Sequence, residues 1–253
     1  MDATLTLLLS EVDNLKQQLD QIRPLPVEAL QKIQDAFEIE YTYDSNRIEG
    51  NTLTLQETAL VVNEGVTISG KSMREHLEAI NHAQAIEFIK DIAKKNIEIT
   101  EGVIKEIHGL VLHGIDKANA GKYRDVPVMI AGSKHIPPQP YLIQEQIEAF
   151  ITGYQKLKAE QTHPVIISAY LHDELVKVHP FIDGNGRTSR LLMNLNLIAN
   201  GYPITNLKSN NEAKQAYYTG LETSHTTGDN IPFYTLVTSA VRDSLNQYLE
   251  LFK

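Results

Sequence analysis

The residues best suited to chemistry lie in one stretch of twelve, HPFIDGNGRTSR, at positions 179–190. The apolar run LLMNLNLIAN follows it and predicts a buried helix. Arg187 and Arg190 fall in the first turn of that helix and project from nearly the same face. Because a helix N-terminus carries partial positive charge, cations there are unfavourable by about 0.3 to 1 kcal/mol unless an anion lies nearby. The two arginines therefore predict a bound anion.

The loop before this helix has the composition of a phosphate site. Gly184 and Gly186 flank Asn185 and allow the backbone to turn its N–H groups inward as an anion cradle. Asp183 would repel a bare phosphate, but a carboxylate beside a phosphate cradle is what Mg2+ needs as its single protein ligand. The loop therefore predicts a phosphate site with magnesium at Asp183. A helix cap made by the Asp183 side chain is the structural alternative.

A helix is predicted to end at His179, whose side chain can then reach across the loop as a proton acceptor. A lone histidine near a helix end is usually structural, but the acidic residue and glycine-rich turn that follow favour a catalytic role. Phe181 is interpreted as the hydrophobic anchor that fixes the loop to the core. The ordinary alternative for Arg187 and Arg190 is pairing with surface acids, which contributes only about 0 to 1 kcal/mol.

Composition limits the class of protein. The chain has 253 residues, of which 42% are hydrophobic, and the absence of cysteine excludes disulfides, catalytic thiolates and cysteine-bound zinc. The net charge of −9 argues against broad binding of nucleic acid or anionic membranes, although a nucleotide can still bind in a local basic pocket. No apolar run approaches the roughly 20 residues of a membrane span, and the start lacks a signal-peptide pattern. A cytoplasmic protein is expected.

An apolar stripe near the N-terminus predicts an amphipathic helix that ends at Pro24 and Pro26, with a second helix beginning near Val27. The simpler interpretation is that this first helix packs on its own domain. A homodimer contact is the alternative, and roughly three heptads are too few to prefer it. The stripe consists of Leu5, Leu8, Val12, Leu15, Leu19 and Ile22.

Polar residues mark the starts of later helices. Thr54 with Glu57, and Ser72 with Glu75, fit the capping-box pattern, and Thr100 can cap the next helix. The segment YTYDSNRIEGNTLTLQET, which contains the first box, is polar and interrupted by glycine. It predicts a joint between helices.

Residues 116–141, called the flap below, are rich in Gly, Asn and Pro and contain one short β-like run at 126–130. They predict a small β-hairpin with one exposed edge, because prolines at 137, 138 and 140 prevent it from joining a larger sheet. Helices resume after the flap, one of them over 164–178, and the last is predicted over 232–252. The sequence thus predicts one mostly α-helical domain.

The stretch HPFIDGNGRTSR resembles, at every defined position, HPFx(D/E)GNGRxxR, the signature of the Fic family of protein nucleotidyltransferases. The surroundings are similar too, with a helix on each side, a flap upstream, and MNL and GYP downstream. The resemblance implies an all-α, Fic-type helical bundle with a small β-hairpin flap and an N-terminal helical extension. We therefore expect an N-terminal helical region at 1–98 and a catalytic core at 99–253.

This resemblance implies transfer of AMP from ATP to a Ser, Thr or Tyr hydroxyl of a target protein, and of the protein itself, with release of pyrophosphate. In that scheme His179 is the general base, and Asp183 holds Mg2+ between the α- and β-phosphates. Arg190 binds the γ-phosphate. The residues implied in phosphate binding are Gly184, Asn185, Gly186, Arg187 and Arg190.

The flap is implied to cover the nucleotide and to pair with an extended segment of the target protein, which adds a strand at its edge. Tyr217 and Tyr218 are implied in the adenine wall. His225 stands near the position where relatives often carry an asparagine. The flap residues concerned are Gly132, Ser133, Lys134, His135 and Ile136.

A second pattern, (S/T)xxxE(G/N), is matched by SNRIEG, in which Ser45, Glu49 and Gly50 are the defined residues. It is similar to the motif of Fic proteins that carry an N-terminal inhibitory helix. The resemblance implies that Glu49 pairs with Arg190 and withholds it from the γ-phosphate, so that ATP is held in an unproductive pose. A solvent-facing glutamate at a helix end is the ordinary alternative.

Three other functions stay open. Removal of AMP from a modified protein can use the same site, because a glutamate placed like Glu49 can orient a water. His172 and Asp173 form an HD pair, which suggests a metal-dependent phosphohydrolase with further ligands such as His108. A non-catalytic binding module with a vestigial nucleotide site is the third, and the intact His179 argues against it.

Overall fold

The computed structural model describes residues 2–23 and 27–251, without the side chains of 27–30. This part of the chain forms ten α-helices, and a 3₁₀ turn, Pro140–Leu142, precedes the sixth. None of these helices is long and apolar enough to span a membrane. The helices are α1 (Ala3–Gln21), α2 (Val27–Ile48), α3 (Leu55–Glu64), α4 (Met73–Lys94), α5 (Glu101–Val111), α6 (Ile143–Ala159), α7 (Pro164–Val178), α8 (Asn185–Ala199), α9 (Asn211–Thr227) and α10 (Ile231–Glu250).

The helix starts predicted at Thr54, Ser72 and Thr100 are confirmed. In α3 and α4 the cap hydroxyl accepts from the N–H three residues on, and Glu57 or Glu75 accepts from the cap N–H in return. The Thr100 hydroxyl accepts from an N–H in the first turn of α5. Local sequence therefore sets these three helix starts.

The joint predicted across YTYDSNRIEGNTLTLQET is present but shorter, because α2 continues through Ile48 and only residues 49–54 connect it to α3. Its polar residues face the protein interior, where they find partners. Asn46 Nδ2 donates to the Thr42 carbonyl, and Asp44 accepts from the Ser209 N–H at 3.0 Å. A polar segment with such partners forms a buried helix face. The buried members are Thr42, Asp44, Ser45 and Asn46.

Helix α8 is the buried helix that the apolar run predicts. Every residue from 187 to 197 is buried, and α8 packs against α7 and α4. Two asparagines in its C-terminal half are paired within the protein: Asn194 donates to the Thr205 carbonyl at 3.0 Å, and Asn196 donates to the Ser168 hydroxyl at 2.8 Å. Helix α8 is therefore fixed by its buried faces and by these two side-chain bonds.

Two hydrophobic cores share α8. One contains Leu191 and Leu192 with residues of α4, α5, α6 and α7, and the other contains Met193 and Leu197 with residues of α1, α9 and α10. Both cores take residues from each side of position 98. The division into regions 1–98 and 99–253 stays a prediction.

The apolar stripe of α1 packs on α10. Leu5, Val12 and Leu19 are at most 1% exposed, as the simpler interpretation of this stripe expects. The stripe is used within the chain, so it lends no support to a homodimer. Helix α10 ends at Glu250, while Pro24, Pro26 and position 252, which the sequence analysis used as helix ends, lie outside the described residues.

The β-hairpin predicted in the flap is wrong, since the described residues contain no strand and the flap consists of turns and extended chain. Prolines at 127, 137 and 138 remove N–H donors that a ladder would need. The buried Arg124 joins the two arms of the flap instead, donating to the carbonyls of Val126 at 3.1 Å and Pro138 at 2.6 Å. Side-chain bonds thus replace the backbone ladder.

Candidate active site

Helix α7 ends at His179, whose backbone is left-handed with φ 48° and ψ 56°. Its Nδ1 lies 3.2 Å from the carbonyl oxygen of Val176, which can only accept, so Nδ1 carries the proton. Burial lowers the pKa of His179 to about 4. The imidazole is therefore neutral at about pH 7, and Nε2 keeps a lone pair that can accept a proton.

The loop after His179 is supported by His108 of α5. The His108 ring stacks on Phe181 with 3.6 Å between centroids, and its Nε2 donates to the Asp183 carbonyl at 2.9 Å. Its Nδ1 accepts from the Gly121 N–H at 2.9 Å, so both ring nitrogens are used. Phe181 is fully buried, which confirms its predicted role as the anchor of the loop.

The glycine-rich turn places the N-terminus of α8 at the site. Gly184 has φ 77°, and a Cβ there would lie 3.3 Å from His108. The Asn185 side chain bonds the Phe181 backbone twice, at 3.0 and 2.9 Å, and so closes the loop. Among the described residues no side chain caps α8, which leaves the N–H groups of its first turn available to an anion.

Glu49 reaches this turn from just beyond the end of α2. A Cβ on Gly186 would lie 2.3 Å from Glu49 Oε1, so glycine is what lets the carboxylate approach. Glu49 Oε1 accepts from Arg190 Nη2 at 2.7 Å. Gly50 follows with φ 99°, a backbone conformation that favours glycine. The predicted pair of Glu49 with Arg190 is present in the structure.

All three guanidinium nitrogens of Arg190 have partners in the described part of the chain. Nε donates to the Ser45 hydroxyl and Nη2 to the Ser45 carbonyl, both at 2.9 Å, and Nη1 donates to the Tyr217 hydroxyl at 3.1 Å. Arg190 is completely buried. The end of α2 and helix α9 therefore occupy the donors that the sequence assigns to a phosphate.

Arg187 and Asp183 belong to a ring of four charges with Arg74 and Glu78. Arg187 lies 3.3 Å from Asp183 and 3.4 Å from Glu78, while Arg74 lies 2.5 Å from Asp183 and 3.1 Å from Glu78. Burial disfavours the Asp183 charge, but Arg187, the Gly184 N–H and Arg74 together outweigh it, so the pKa of Asp183 is lowered. Arg187 is 2% exposed, and its Nε and Nη1 make no hydrogen bond in the described structure. Arg187 thus keeps buried donors for an anion.

A cavity of about 380 Å³ opens beside His179, and a second, of about 220 Å³, contains Asp183 and Arg187. Glu49 lines both cavities and lies between them. Of the predicted flap residues, Gly132 and Ser133 line the larger cavity, whereas Lys134, His135 and Ile136 do not. The other residues around the larger cavity are Ile130, Ala131, Val176, Gly186, Tyr217, Tyr218, Leu221, Glu222 and His225.

The two tyrosines differ in environment although both line the larger cavity. Tyr217 is buried, and its hydroxyl accepts from Arg190 and bonds His172 Nε2 at 3.2 Å. Tyr218 is 46% exposed, and its hydroxyl donates to the Ile48 carbonyl at 3.1 Å. Tyr218 therefore ties α9 to the end of α2.

The HD-type metal site is contradicted by the partners of its residues. His172 bonds Tyr217, while Asp173 accepts from His225 Nε2 at 2.9 Å and from the Ser224 hydroxyl at 2.6 Å. His108 supports the loop with both nitrogens. No group of three or more His, Asp or Glu side chains is placed to hold a metal within residues 2–23 and 27–251.

Four charged residues at the site were not predicted from the sequence: Arg74, Glu78, Arg124 and Glu222. Arg74 lies at the start of α4, and Glu222 lies on α9. Arg124 donates to the His179 carbonyl at 2.8 Å. Arg74 had a weak signal, its spacing of four from an acidic residue on the same helix. Glu222 and Arg124 had none, because their partners lie on distant segments.

Comparison with known proteins gives one family. A model described as the Fic/DOC family matches residues 98–197. A protein from Nematostella vectensis named Protein adenylyltransferase Fic is 34% identical over 242 residues, which cover 94% of this chain and 55% of that protein. The chain spans about half the length of the curated relatives it matches.

Solved structures with this fold include Fic-1, residues 134–508, from C. elegans. It has a TM-score of 0.88 and 32% identity, and the match covers 99% of this chain and 73% of that one. IbpAFic2 covalently tethered to Cdc42 has a TM-score of 0.53 at 16% identity, covering 87% of this chain and 71% of that one. The second likeness concerns the fold alone.

Proposed function

The chain belongs to the Fic/DOC family, and from this we propose that it transfers AMP from ATP to a hydroxyl of a protein target and of itself. The observation that carries the proposal is the juxtaposition of a neutral His179, with a free Nε2 lone pair, and the uncapped N-terminus of α8. A proton acceptor and an anion cradle thus lie within one loop. Phosphoryl-group chemistry needs mainly this kind of positioning and charge neutralisation.

In the proposed reaction the target hydroxyl gives its proton to Nε2 of His179. The hydroxyl oxygen forms a bond to the α-phosphorus, and the bond from that phosphorus to the bridging oxygen of the β-phosphate breaks. Pyrophosphate leaves with the bonding electron pair, and AMP remains on the target. The low pKa of His179 keeps the base deprotonated at about neutral pH, so no prior loss of a proton is needed.

The phosphates are proposed to bind at the first turn of α8. Arg187 keeps buried N–H groups without an acceptor in the described structure, which supports an anion at this position. Arg190 is proposed to bind the γ-phosphate once Glu49 is displaced. The backbone of Asn185 and Gly186 is proposed to supply further donors, whereas the Gly184 N–H already donates to Asp183 Oδ1 at 2.6 Å and the Asn185 side chain closes the loop.

Magnesium is proposed at Asp183. A half-exposed carboxylate fits Mg2+, which takes hard oxygen ligands and often only one or two protein carboxylates together with phosphate oxygens. When bound there, the ion would neutralise phosphate charge. Arg74 lies 2.5 Å from the same carboxylate, so this chain must move Arg74 aside before Asp183 can hold a metal.

Autoinhibition is proposed to act through Glu49. Its carboxylate accepts from Arg190 and touches the position of Gly186, so it takes both charge and space from the phosphate site. Ser45 occupies two more donors of Arg190. The hydrogen bond from Tyr218 to the Ile48 carbonyl supports this arrangement, because it fixes the residue next to Glu49.

The flap is proposed as the docking surface for the target protein. Large apolar side chains of the flap are unusually exposed there, with Met129 at 91%, Ile136 at 77% and Tyr141 at 80%. An extended target segment that lies along the flap would bring its hydroxyl toward His179. The names of the curated relatives support a protein as the substrate.

Removal of AMP from a modified protein is a second candidate. One observation favours it: Glu49 lines the larger cavity together with His179, and its side chain is 34% exposed. A carboxylate in that position can orient a water for attack on the phosphorus. If the protein removes AMP, Glu49→Gly should lower the rate of removal. If it transfers AMP, the same substitution should raise the rate of transfer.

The proposed reaction is tested with ATP labelled at either the α- or the γ-phosphate, Mg2+, and the Glu49→Gly protein. We expect protein-bound label from the α-phosphate only, and a mass gain of one adenylyl group. The matched control is Glu49→Gly with His179→Ala, which should not be labelled. Label from the γ-phosphate, or equal labelling without His179, would overturn the proposal.

A further inference from the structure

The flap tip, residues 130–135, is held by contacts outside itself. It forms no helix or strand, and Gly132 at its turn has φ 79°. Within the described structure its internal hydrogen bonds are those from the Ser133 N–H to the Ile130 carbonyl and from the His135 N–H to the Ser133 hydroxyl. Two such bonds do not fix a loop of this length above a cavity.

Glu222 of α9 supplies the missing contacts. One carboxylate oxygen accepts from the Ser133 hydroxyl, and the other accepts from the Lys134 N–H at 2.9 Å. Both oxygens are thus used on two consecutive residues of the tip. The bonds lower the pKa of Glu222, chiefly through Ser133, because they favour the charged carboxylate.

Glu222 also lines the cavity beside His179. Within the described residues no lysine or arginine forms an ion pair with its carboxylate, and its side-chain hydrogen bonds all go to the flap tip. A second anchor lies beside it, where His135 Nε2 donates to the Lys177 carbonyl of α7 at 2.8 Å. Because hydrogen bonds to a charged group are stronger than neutral ones, Glu222 is the main hold on the tip.

The latched tip closes one side of the cavity beside His179. Residues 130–133 line that cavity, and α9 lines it with Tyr218, Leu221 and Glu222 itself. Glu222 therefore fixes the distance between the flap tip and the helix that faces it. A change in this distance alters the width of the cavity without touching His179 or the phosphate-binding turn.

We propose that Glu222 is a positioning residue, which latches the flap tip to α9 so that the tip covers the nucleotide held in the cavity beside His179. This inference rests on the proposed function for the identity of the nucleotide, but the latch itself does not. Loss of the latch opens the tip, speeds nucleotide escape and leaves the base and phosphate contacts unchanged.

The latch is tested first without nucleotide, by limited trypsin digestion and mass spectrometry. Lys134 is exposed, so the Lys134–His135 bond reports directly on tip opening. We expect Glu222→Ala to raise cleavage there by about tenfold, since cleavage follows the population of the open form. The control is Glu212→Ala, which removes the same charge from an exposed site on α9 that makes no flap contact. Equal cleavage in both variants would overturn the latch.

The covering role is tested by ADP affinity in calorimetry and by AMP-transfer kinetics in the Glu49→Gly background. Glu222→Ala should weaken ADP binding and raise the KM for ATP by about tenfold, with kcat within about twofold. Ser133→Ala, which removes one of the two bonds, should give a smaller shift in the same direction and serves if Glu222→Ala fails to fold. If Glu222→Ala is cleaved faster than the control but binds ADP with unchanged affinity, the flap tip does not cover the nucleotide. If the Glu212→Ala control binds no ADP, the proposed function fails while the digestion still decides the latch.

Discussion

At the scale of single residues, the proposed chemistry depends on the proton state of His179. The Val176 carbonyl fixes the proton on Nδ1, and burial keeps the ring neutral. The base is therefore ready before substrate arrives. Its backbone carbonyl is held in turn by Arg124, at 2.8 Å, so the residue cannot rotate freely out of the site.

This arrangement predicts the titration of His179. Burial disfavours the charged ring, so the folded pKa of about 4 lies below the ordinary value of about 6.5, and the neutral base persists down to that lower pH. An NMR titration of the histidine C–H signals, assigned with His179→Ala, should give a midpoint near the lower value. A midpoint at or above about 6.5 would contradict it, and circular dichroism at each pH shows whether the fold persists.

A second prediction at this scale concerns Arg74. Because its guanidinium occupies the Asp183 carboxylate, Arg74→Ala should raise the affinity of the ADP-bound protein for Mg2+ by about two- to fivefold, a modest gain for a pair that is 56% exposed on the Arg74 side. Calorimetric titration of Mg2+ measures this directly. Asp183→Asn is the control and should abolish the binding. Weaker Mg2+ binding in Arg74→Ala would show that Arg74 does not compete with the metal.

The residues of HPFIDGNGRTSR could be predicted because their chemistry is concentrated in twelve positions. Arg74, Arg124 and Glu222 could not, since each acts on a partner far away in the sequence. The hydrogen bonds made by the side chains of Asn185 and Tyr217 could not be predicted from the sequence either. Both carry side chains that bond the protein itself, and their surroundings appear only when the chain is folded.

At the scale of elements, the proposed autoinhibition depends on α2. Its last turns are polar and buried, and they end at Glu49 beside Arg190. Asp44 holds this end of α2 on the loop before α9, accepting from Asn206 at 2.6 Å and from the Ser209 N–H at 3.0 Å. The position of the inhibitory glutamate therefore depends on hydrogen bonds made one turn earlier.

Asp44→Ala should accordingly loosen the grip of α2 on the site. The change leaves buried donors of Asn206 and Ser209 without an acceptor, so the free energy of unfolding should fall by about 1 to 3 kcal/mol. AMP transfer should rise because Glu49 is held less firmly. Urea denaturation and autolabelling measure the two effects, and Lys208→Ala, at a weaker 3.8 Å contact with Asp44, is the control. If Asp44→Ala lowers the free energy of unfolding but leaves the rate of AMP transfer unchanged, the anchoring of α2 through Asp44 does not control inhibition by Glu49.

Helix starts were predictable where a capping box marks them, as at Thr54 and Ser72. The course of α2 was not, because polar residues at 42–46 look like a solvated joint until their buried partners are known. The β-hairpin predicted in the flap was wrong for a related reason. Its β-like run suggests a strand, but Arg124 takes the carbonyls that a ladder would use.

At the scale of the whole molecule, the N-terminal helices are part of the same packing as the site. Helix α1 packs on α10, and α2 places its end between the two cavities through Glu49. Both hydrophobic cores combine N-terminal and C-terminal residues, so the helix that carries Glu49 is part of the folded domain. The cytoplasmic location and the homodimer stay predictions, because they concern surroundings that one folded chain does not contain.

The central claim is that Glu49 withholds Arg190 from a nucleotide bound at the start of α8. The most direct measurement is the rate of self-labelling with ATP and Mg2+, followed by intact mass, for wild type, Glu49→Gly and the isosteric Glu49→Gln. Release of one charge-assisted pair corresponds to about a ten- to hundredfold gain, so both variants should gain one adenylyl group at least about tenfold faster than wild type. Equal rates in all three proteins would contradict the account.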